Sequence, residues 1–336
     1  MRILLLAHFA DKRSTIHGVT SGLAEGGHEW FPVETKSPSA KTPQYADHVV
    51  QQAEKHNVDT VMIGKGNTIP MGIYKSMVSR LPDTTYLTFD SVSGKGCGPA
   101  GRPDECGQRG LLCDRITLTG SEGARWFRQN GFKGRIAQIY QGCRHSIWRP
   151  ENLDTRRAKP NQIAFLGAGH YVGDGGRRPK LQALAKNGFQ LFHGKRIFHE
   201  EAAKLYYNSG ICLNMVCGTP GEGHTPVGIT SNRLVRLLTS GGFALSERNT
   251  DVAATFEEGN QLATYNFGDT PDLLEKARHY MDNPKERFEI ARRGWEWSAN
   301  WGWDQQMEKM VRFIDGDDIP ADGAADAWVG TLPGSD

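Results

Sequence analysis

The feature that most constrains this chain is a repeated alternation of short apolar runs with amphipathic segments, punctuated by glycines. It begins at once, with the run Ile-Leu-Leu-Leu-Ala at residues 3–7. A strand buried on both faces reads this way, because a parallel sheet covered by helices has no polar side. A polar loop leads to Gly18, and residues 19–25 read as a helix stopped by Gly26-Gly27, since glycine closes a helix in the left-handed conformation at little cost. Strand-like runs recur at 28–33, 60–63, 85–89, 115–119 and 137–140, and helical periodicity at 46–56, 73–81 and 120–130. This alternation predicts an α/β fold wound around a parallel sheet.

The rhythm breaks twice. Residues 91–110 are crowded with glycines and contain Pro99 and Pro103; so long a loop inside a compact domain is usually functional or disordered. Residues 149–161 hold Pro150 and Pro160 among charges, with no apolar period, and mark a domain boundary. The pattern then restarts, with strands at 162–166, 189–192, 210–214 and 243–245 and helices up to residue 314. The reading is a domain over 1–150, a second over 151–314, and a flexible acidic tail over 315–336, which holds six Asp and no Lys or Arg. Trp295, Trp297, Trp301 and Trp303 read as packing where the terminal helix docks.

Charge and cysteine content narrow the functional classes. The net charge of +2 says little, but residues 92–149 carry ten Lys/Arg against four Asp/Glu. That excess admits an anionic partner such as DNA, and equally a solvated basic face. The opening apolar run is too short for a signal or a span, and no later run reaches about 20 residues. A cytoplasmic protein without membrane contact is expected. Six Cys without an export signal read as reduced thiols. Cys97, Cys106 and Cys113 cluster without the spacing of a zinc pair, so no metal is expected.

Ligands of open parallel sheets bind beyond the carboxyl ends of the strands. After strand 162–166 comes a glycine-rich loop, Gly167 to Gly176, followed by Arg177 and Arg178. Bare backbone N–H groups there would approach phosphate oxygens, and Arg177 would grip a diphosphate bidentately. Gly167, Gly169 and Arg177 are therefore candidate ligand contacts. The spacing is not that of a dinucleotide fingerprint. The next strand ends in His193-Gly194-Lys195-Arg196; here Gly194 and Arg196 would hold a nucleotide base and Lys195 a phosphate. Ser231-Asn232-Arg233 opens a helix, with Ser231 a natural N-cap facing an anion. Arg233 sits where the helix dipole disfavours a cation. Either a phosphate or a nearby acid would account for it. Asn214 and Ser246 end strands at the same rim. Taken singly, each loop is also explained as a surface turn. In the first half the rim residues are His8, Asp11, His17, Gly18 and Asp90, and a His or Asp there would orient or deprotonate an acceptor hydroxyl.

These residues resemble a known family. Ile163-Ala164-Phe165-Leu166-Gly167, the helix Arg177-x-x-x-Leu181-x-x-Leu184, Ser231-Asn232-Arg233, Gly241-Gly242-Phe243-Ala244-Leu245 and Asn283-Pro284-x-x-Arg287 are similar to the CgeB-like glycosyltransferases of spore maturation and phages. The first half is similar more loosely, through Leu23-Ala24-Glu25-Gly26-Gly27-His28-Glu29 and the strand ending in Asp90. The resemblance implies a GT-B fold, two Rossmann-like doubly wound domains facing a central cleft. The first domain would bind the acceptor and the second a nucleotide-sugar. It implies a metal-independent hexosyl- or pentosyltransferase, with no cofactor besides a donor such as a UDP-sugar. A hydroxymethylated base of phage DNA is one conceivable acceptor, and a bacterial or phage-infected cell the setting. Asp90 and His17 would serve the acceptor, and Arg177, Lys195 and Arg233 the leaving diphosphate. One position departs: many such transferases place a Glu on the helix after the arginine, to bond the donor ribose, where this chain has Arg236. A nucleotide-sugar epimerase, or a nucleotide-sugar-binding protein without catalysis, fits the same pattern.

Overall fold

The structure is a computed structural model, and it describes residues 1–10, 15–89, 105–154, 159–167, 177–194, 197, 199–215 and 231–317. The chain divides into two units: Met1–Gly142 together with the closing segment from Trp303, and Cys143–Gly302. The expected boundary at 150/151 thus lies a few residues late. More significantly, the last helix belongs to the first unit, although contiguity in sequence grouped it with the second.

Packing explains that return. The helix Trp303–Asp315 buries Trp303, Met307, Met310, Val311 and Ile314, which join Val19 and Leu23 of the helix Ile16–Glu25 in one apolar cluster. Gly18 and Gly22 make the approach possible. A Cβ on Gly18 would stand 2.1 Å from the Trp303 ring, and one on Gly22 would stand 2.3 Å from the Trp303 carbonyl oxygen.

The first unit's sheet contains β1 (Arg2–Ala7), β2 (Glu29–Glu34), β3 (Thr60–Gly64), β4 (Thr84–Thr88), β5 (Arg115–Leu118) and β6 (Arg135–Gln138). All pairings are parallel, in the order β2-β1-β3-β4-β5-β6. Successive side chains of β1 point to opposite faces. Leu4 and Leu6 enter one core with Val49 and Tyr74, while Ile3 and Leu5 enter the other with Val19 and Met307. That is why the run is continuous rather than alternating.

The second unit repeats the plan with β7 (Lys159–Leu166), β8 (Gln190–Gly194), β9 (Ser209–Asn214), β10 (Ala244–Glu247) and β11 (Ala263–Tyr265), ordered β8-β7-β9-β10-β11 and again parallel. The helix Asn232–Thr239 lays Leu234, Val235, Leu237 and Leu238 on this sheet and ends before Gly241, whose φ is +70°. In both sheets the winding reverses between the first and third strands, β1/β3 and β7/β9, and such a switch point opens a crevice beyond the strand ends. Trp297 packs against Phe256 at a centroid separation of 4.6 Å and against Trp301 at 4.4 Å; Trp301 is buried and Trp297 half-buried, so this part of the tryptophan cluster is packing. Among the described residues no helix is long and apolar enough to cross a membrane.

Candidate anion site at the second switch point

The crevice between β7 and β9 is where the second sheet should receive a ligand, and two arginines converge on it. Arg233, second residue of the helix Asn232–Thr239, donates from Nε to the Leu166 carbonyl at the end of β7 (2.9 Å) and from Nη1 to the Met215 carbonyl just past β9 (3.1 Å). It therefore spans the two strand ends of the switch point. Arg177, first residue of the helix Arg177–Lys186, donates from Nη2 to the same Met215 carbonyl at 2.9 Å. Both guanidiniums lie over the Phe165 ring, at 5.5 Å for Arg177 and 4.9 Å for Arg233. The orientation of Arg233 comes from backbone carbonyls, and its place in a dipole-disfavoured first turn is offset by those bonds.

Gly167 lets the arrangement close. A Cβ at this position would stand 2.8 Å from Arg233 Nη2. Its N–H donates to the Gly194 carbonyl at 3.1 Å, and its own carbonyl lies 3.0 Å from His193 Nε2, so Gly167 and Gly194 tie the ends of β7 and β8.

Ser231 occupies the N-cap position with extended backbone (φ −77°, ψ 147°), but its side chain does not cap the helix. It donates instead to Asn214 Oδ1 at 2.8 Å; Asn214 Nδ2 donates to Ser246 Oγ at 2.9 Å, and Ser246 Oγ donates to the Glu247 carbonyl at 3.1 Å. Asn214 and Ser246 are fully buried. These three expected ligand contacts therefore form a hydrogen-bonded clasp beneath the site, fixing the helix start to the ends of β9 and β10. Asn232, the first helical residue, is half-buried.

Sequence reasoning missed a buried ion pair. Lys180, one turn after Arg177, bonds Glu247 at the end of β10, and both side chains are almost wholly buried. Burial, and then the Glu247 charge, hold the neighbouring Tyr265 phenol well above its usual range. That Glu247 turns inward onto Lys180 is not legible in sequence, because nothing in a helical period pairs two such distant positions.

Gly169, Lys195, Arg196 and Asp90 lie outside the described residues. His17 belongs to the helix Ile16–Glu25 of the first unit and is half-buried. At the first sheet's own switch point, His8 follows β1 with Nδ1 3.0 Å from Glu34 Oε1. Glu34 also accepts from the Phe9 N–H (2.9 Å) and the Lys36 N–H (2.7 Å). Burial alone would raise its carboxyl, but these backbone bonds and His8 outweigh it and leave the pKa lowered.

Five of the described arginines in the basic stretch 92–149 are spent internally. Arg115 pairs with Asp83. Arg109 donates to the Ile69 carbonyl, Arg128 to those of Phe132 and Gly134, Arg135 to those of Phe313 and Asp317, and Arg149 to that of Trp295. Cys113 is core, 3.4 Å from the Tyr74 hydroxyl; Cys97, and the side chain of Cys106, are not described. No group of three or more His, Cys, Asp or Glu among the described residues would hold a metal ion.

Comparison with solved structures decides the architecture. Over 94% of this chain and 98% of the other, it superposes on sucrose-phosphate synthase from Thermosynechococcus elongatus with a TM-score of 0.67 at 11% identity. The chain has the GT-B glycosyltransferase fold. Anabaena Alr3699/HepE, solved in complex with UDP and glucose, gives 0.65 at 11% identity over 93% and 100% of the two chains. A glycosyltransferase from Rickettsia africae gives 0.64 at 12% identity over 94% and 99%. By sequence, residues 149–312 match the family described as "Glycosyl transferase-like", a stretch that takes in nearly all of the second GT-B unit and most of the closing helix. No curated protein matches the chain by sequence.

Proposed function

We propose that this chain transfers a glycosyl group from a nucleotide diphosphate sugar, a UDP-sugar foremost, to a hydroxyl acceptor, the second unit holding the donor. The observation that carries this reading is Arg233 bridging the ends of β7 and β9 at the switch point, with Arg177 on the same Met215 carbonyl. In the transfer, the bond from the sugar's anomeric carbon to the diphosphate breaks and the diphosphate leaves with the electron pair. The acceptor oxygen bonds that carbon, and its proton passes to solvent. Negative charge grows on the leaving group, and cations already held by backbone bonds stabilise it with little reorganisation. The match of residues 149–312 and the structures solved with UDP, UDP with glucose and UDP-glucose support the donor class. We further assign Gly169, Lys195 and Arg196 to the donor, and Asp90 and His17 to the acceptor.

With guanidiniums carrying the charge, turnover should survive chelation of divalent metals. A screen of nucleotide-sugars for hydrolysis and transfer tests the reading. UDP-sugar turnover should fall about a hundredfold or more in Arg233→Ala, as when one transition-state charge partner is lost. Normal binding and turnover by that variant would refute the site. Release of an epimerised sugar without acceptor would identify the rival isomerase chemistry. For a DNA acceptor, the described basic stretch offers the exposed Arg125 and Lys133, and binding that falls steeply with salt would be its mark.

A further inference from the structure

A second pair of arginines in the same unit meets without an acid between them. Arg236 lies one turn beyond Arg233, with its guanidinium carbon 5.1 Å from the centre of the Trp148 ring. Trp148 stacks in turn on Tyr206 at 6.2 Å. The short helix His145–Trp148 is opened by Arg144, whose carbonyl accepts the N–H groups of Ile147 (3.1 Å) and Trp148 (3.0 Å). Arg144 is therefore held one turn from the ring on which Arg236 rests. The polar groups facing Arg236 are the Cys143 thiol, the Tyr206 phenol and Arg144 itself.

Both arginines are half-buried. Among the described residues neither guanidinium has a carboxylate or hydrogen-bond partner. Burial pulls Arg236 below its usual range, and the repulsion of Arg144 adds to that. Burial also pushes the Cys143 thiol up to about 12, so it is neutral at physiological pH and brings no compensating charge. Arg236 falls in the last turn of the helix Asn232–Thr239, where the dipole favours a cation. That field supplies no acceptor at the guanidinium and does not account for a second cation beside it.

Two like charges partly removed from water are costly unless an opposite charge joins them. The edge donors of a guanidinium receive phosphate or carboxylate oxygens, and Arg236 carries them over the Trp148 ring. We propose that Arg144 and Arg236, braced by Trp148, form a binding site for an oxyanion group, a phosphate or a carboxylate, distinct from the Arg177–Arg233 pair. This goes beyond glycosyl transfer and does not depend on it.

Calorimetric titration of the full chain with inorganic phosphate, sulfate and glucuronate tests the proposal; the first two report phosphate-like ligands and the third a carboxylate. At least one should bind. Arg144→Ala and Arg236→Ala should each weaken that binding about tenfold or more, and Arg233→Ala should retain it. In anion-free buffer Arg236→Met should melt at or above the wild type, and the bound anion should raise the melting temperature of the wild type but not of Arg236→Met. Absence of binding, or binding unchanged in both alanine variants, would overturn the proposal. So would a lower melting temperature of Arg236→Met with anion binding intact, which would make Arg236 a packing residue.

Discussion

The buried pair Lys180–Glu247 offers the sharpest test of how the second unit is held together. Each side chain has 2% or less of its surface exposed, so water contributes little to either charge. Replacing Lys180 with Met keeps the length and apolar volume of the stem but leaves the Glu247 carboxylate without its partner. Breaking a buried pair in this way costs about 3–5 kcal/mol. For a unit of this size each kcal/mol moves the melting temperature by roughly 2–4 °C, so a fall of roughly 10 °C is expected. Replacing both residues, as Lys180→Met with Glu247→Leu, removes the stranded charge and should recover most of the loss, because two apolar groups of similar volume need no compensation. Equilibrium urea unfolding, followed by circular dichroism and tryptophan fluorescence, measures both. The helix carrying Lys180 also carries Arg177, so the single variant should bind UDP more weakly than the double. A single variant within about 1 kcal/mol of the wild type, or a double variant as damaged as the single, would refute the reasoning.

Gly167→Ala places a methyl 2.8 Å from Arg233 Nη2; it should weaken UDP binding with little change in melting temperature, read by calorimetry and thermal unfolding side by side. Glu34 has a lowered carboxyl pKa, so its contribution to stability is present above the ordinary glutamate value of 4.5 and is lost as pH falls through its lower folded-state value. The stability difference between the wild type and Glu34→Gln should accordingly shrink towards zero on acidification. Burial pushes the Cys113 and Cys143 thiols up to about 12; at pH 8 both should react with a thiol reagent only at the rate of unfolding. Gly22→Ala sets a methyl 2.3 Å from the Trp303 carbonyl oxygen, and proteolysis should then clip the closing helix, as it should not in Gly72→Ala, where a Cβ meets nothing within 4 Å.

Much of the architecture was legible because it is written in local periodicity. The run at residues 3–7 demanded a strand covered on both faces, and β1 feeds two cores. The rhythm of 162–245 marks four strands with loops at one rim, and Arg177 and Arg233 stand out as cations at such loops. Their partners were not legible. A guanidinium bonding the Leu166 and Met215 carbonyls leaves no trace in sequence, since every residue has a carbonyl. The same blindness left a basic stretch readable either as a surface for an anionic partner or as a solvated face, whereas Arg109, Arg128, Arg135 and Arg149 bond backbone oxygens.

By itself, then, the sequence determined the α/β class, the two windings and the loops at which cations gather, because hydrophobic period and glycine placement act over a few residues. Only the tertiary structure decided that the helix Trp303–Asp315 returns to the first unit, that Asn214, Ser231 and Ser246 brace the site from beneath, and that Arg144 comes to rest beside Arg236. Each of those depends on which surfaces meet when distant segments bury their apolar faces, and no local pattern encodes that meeting.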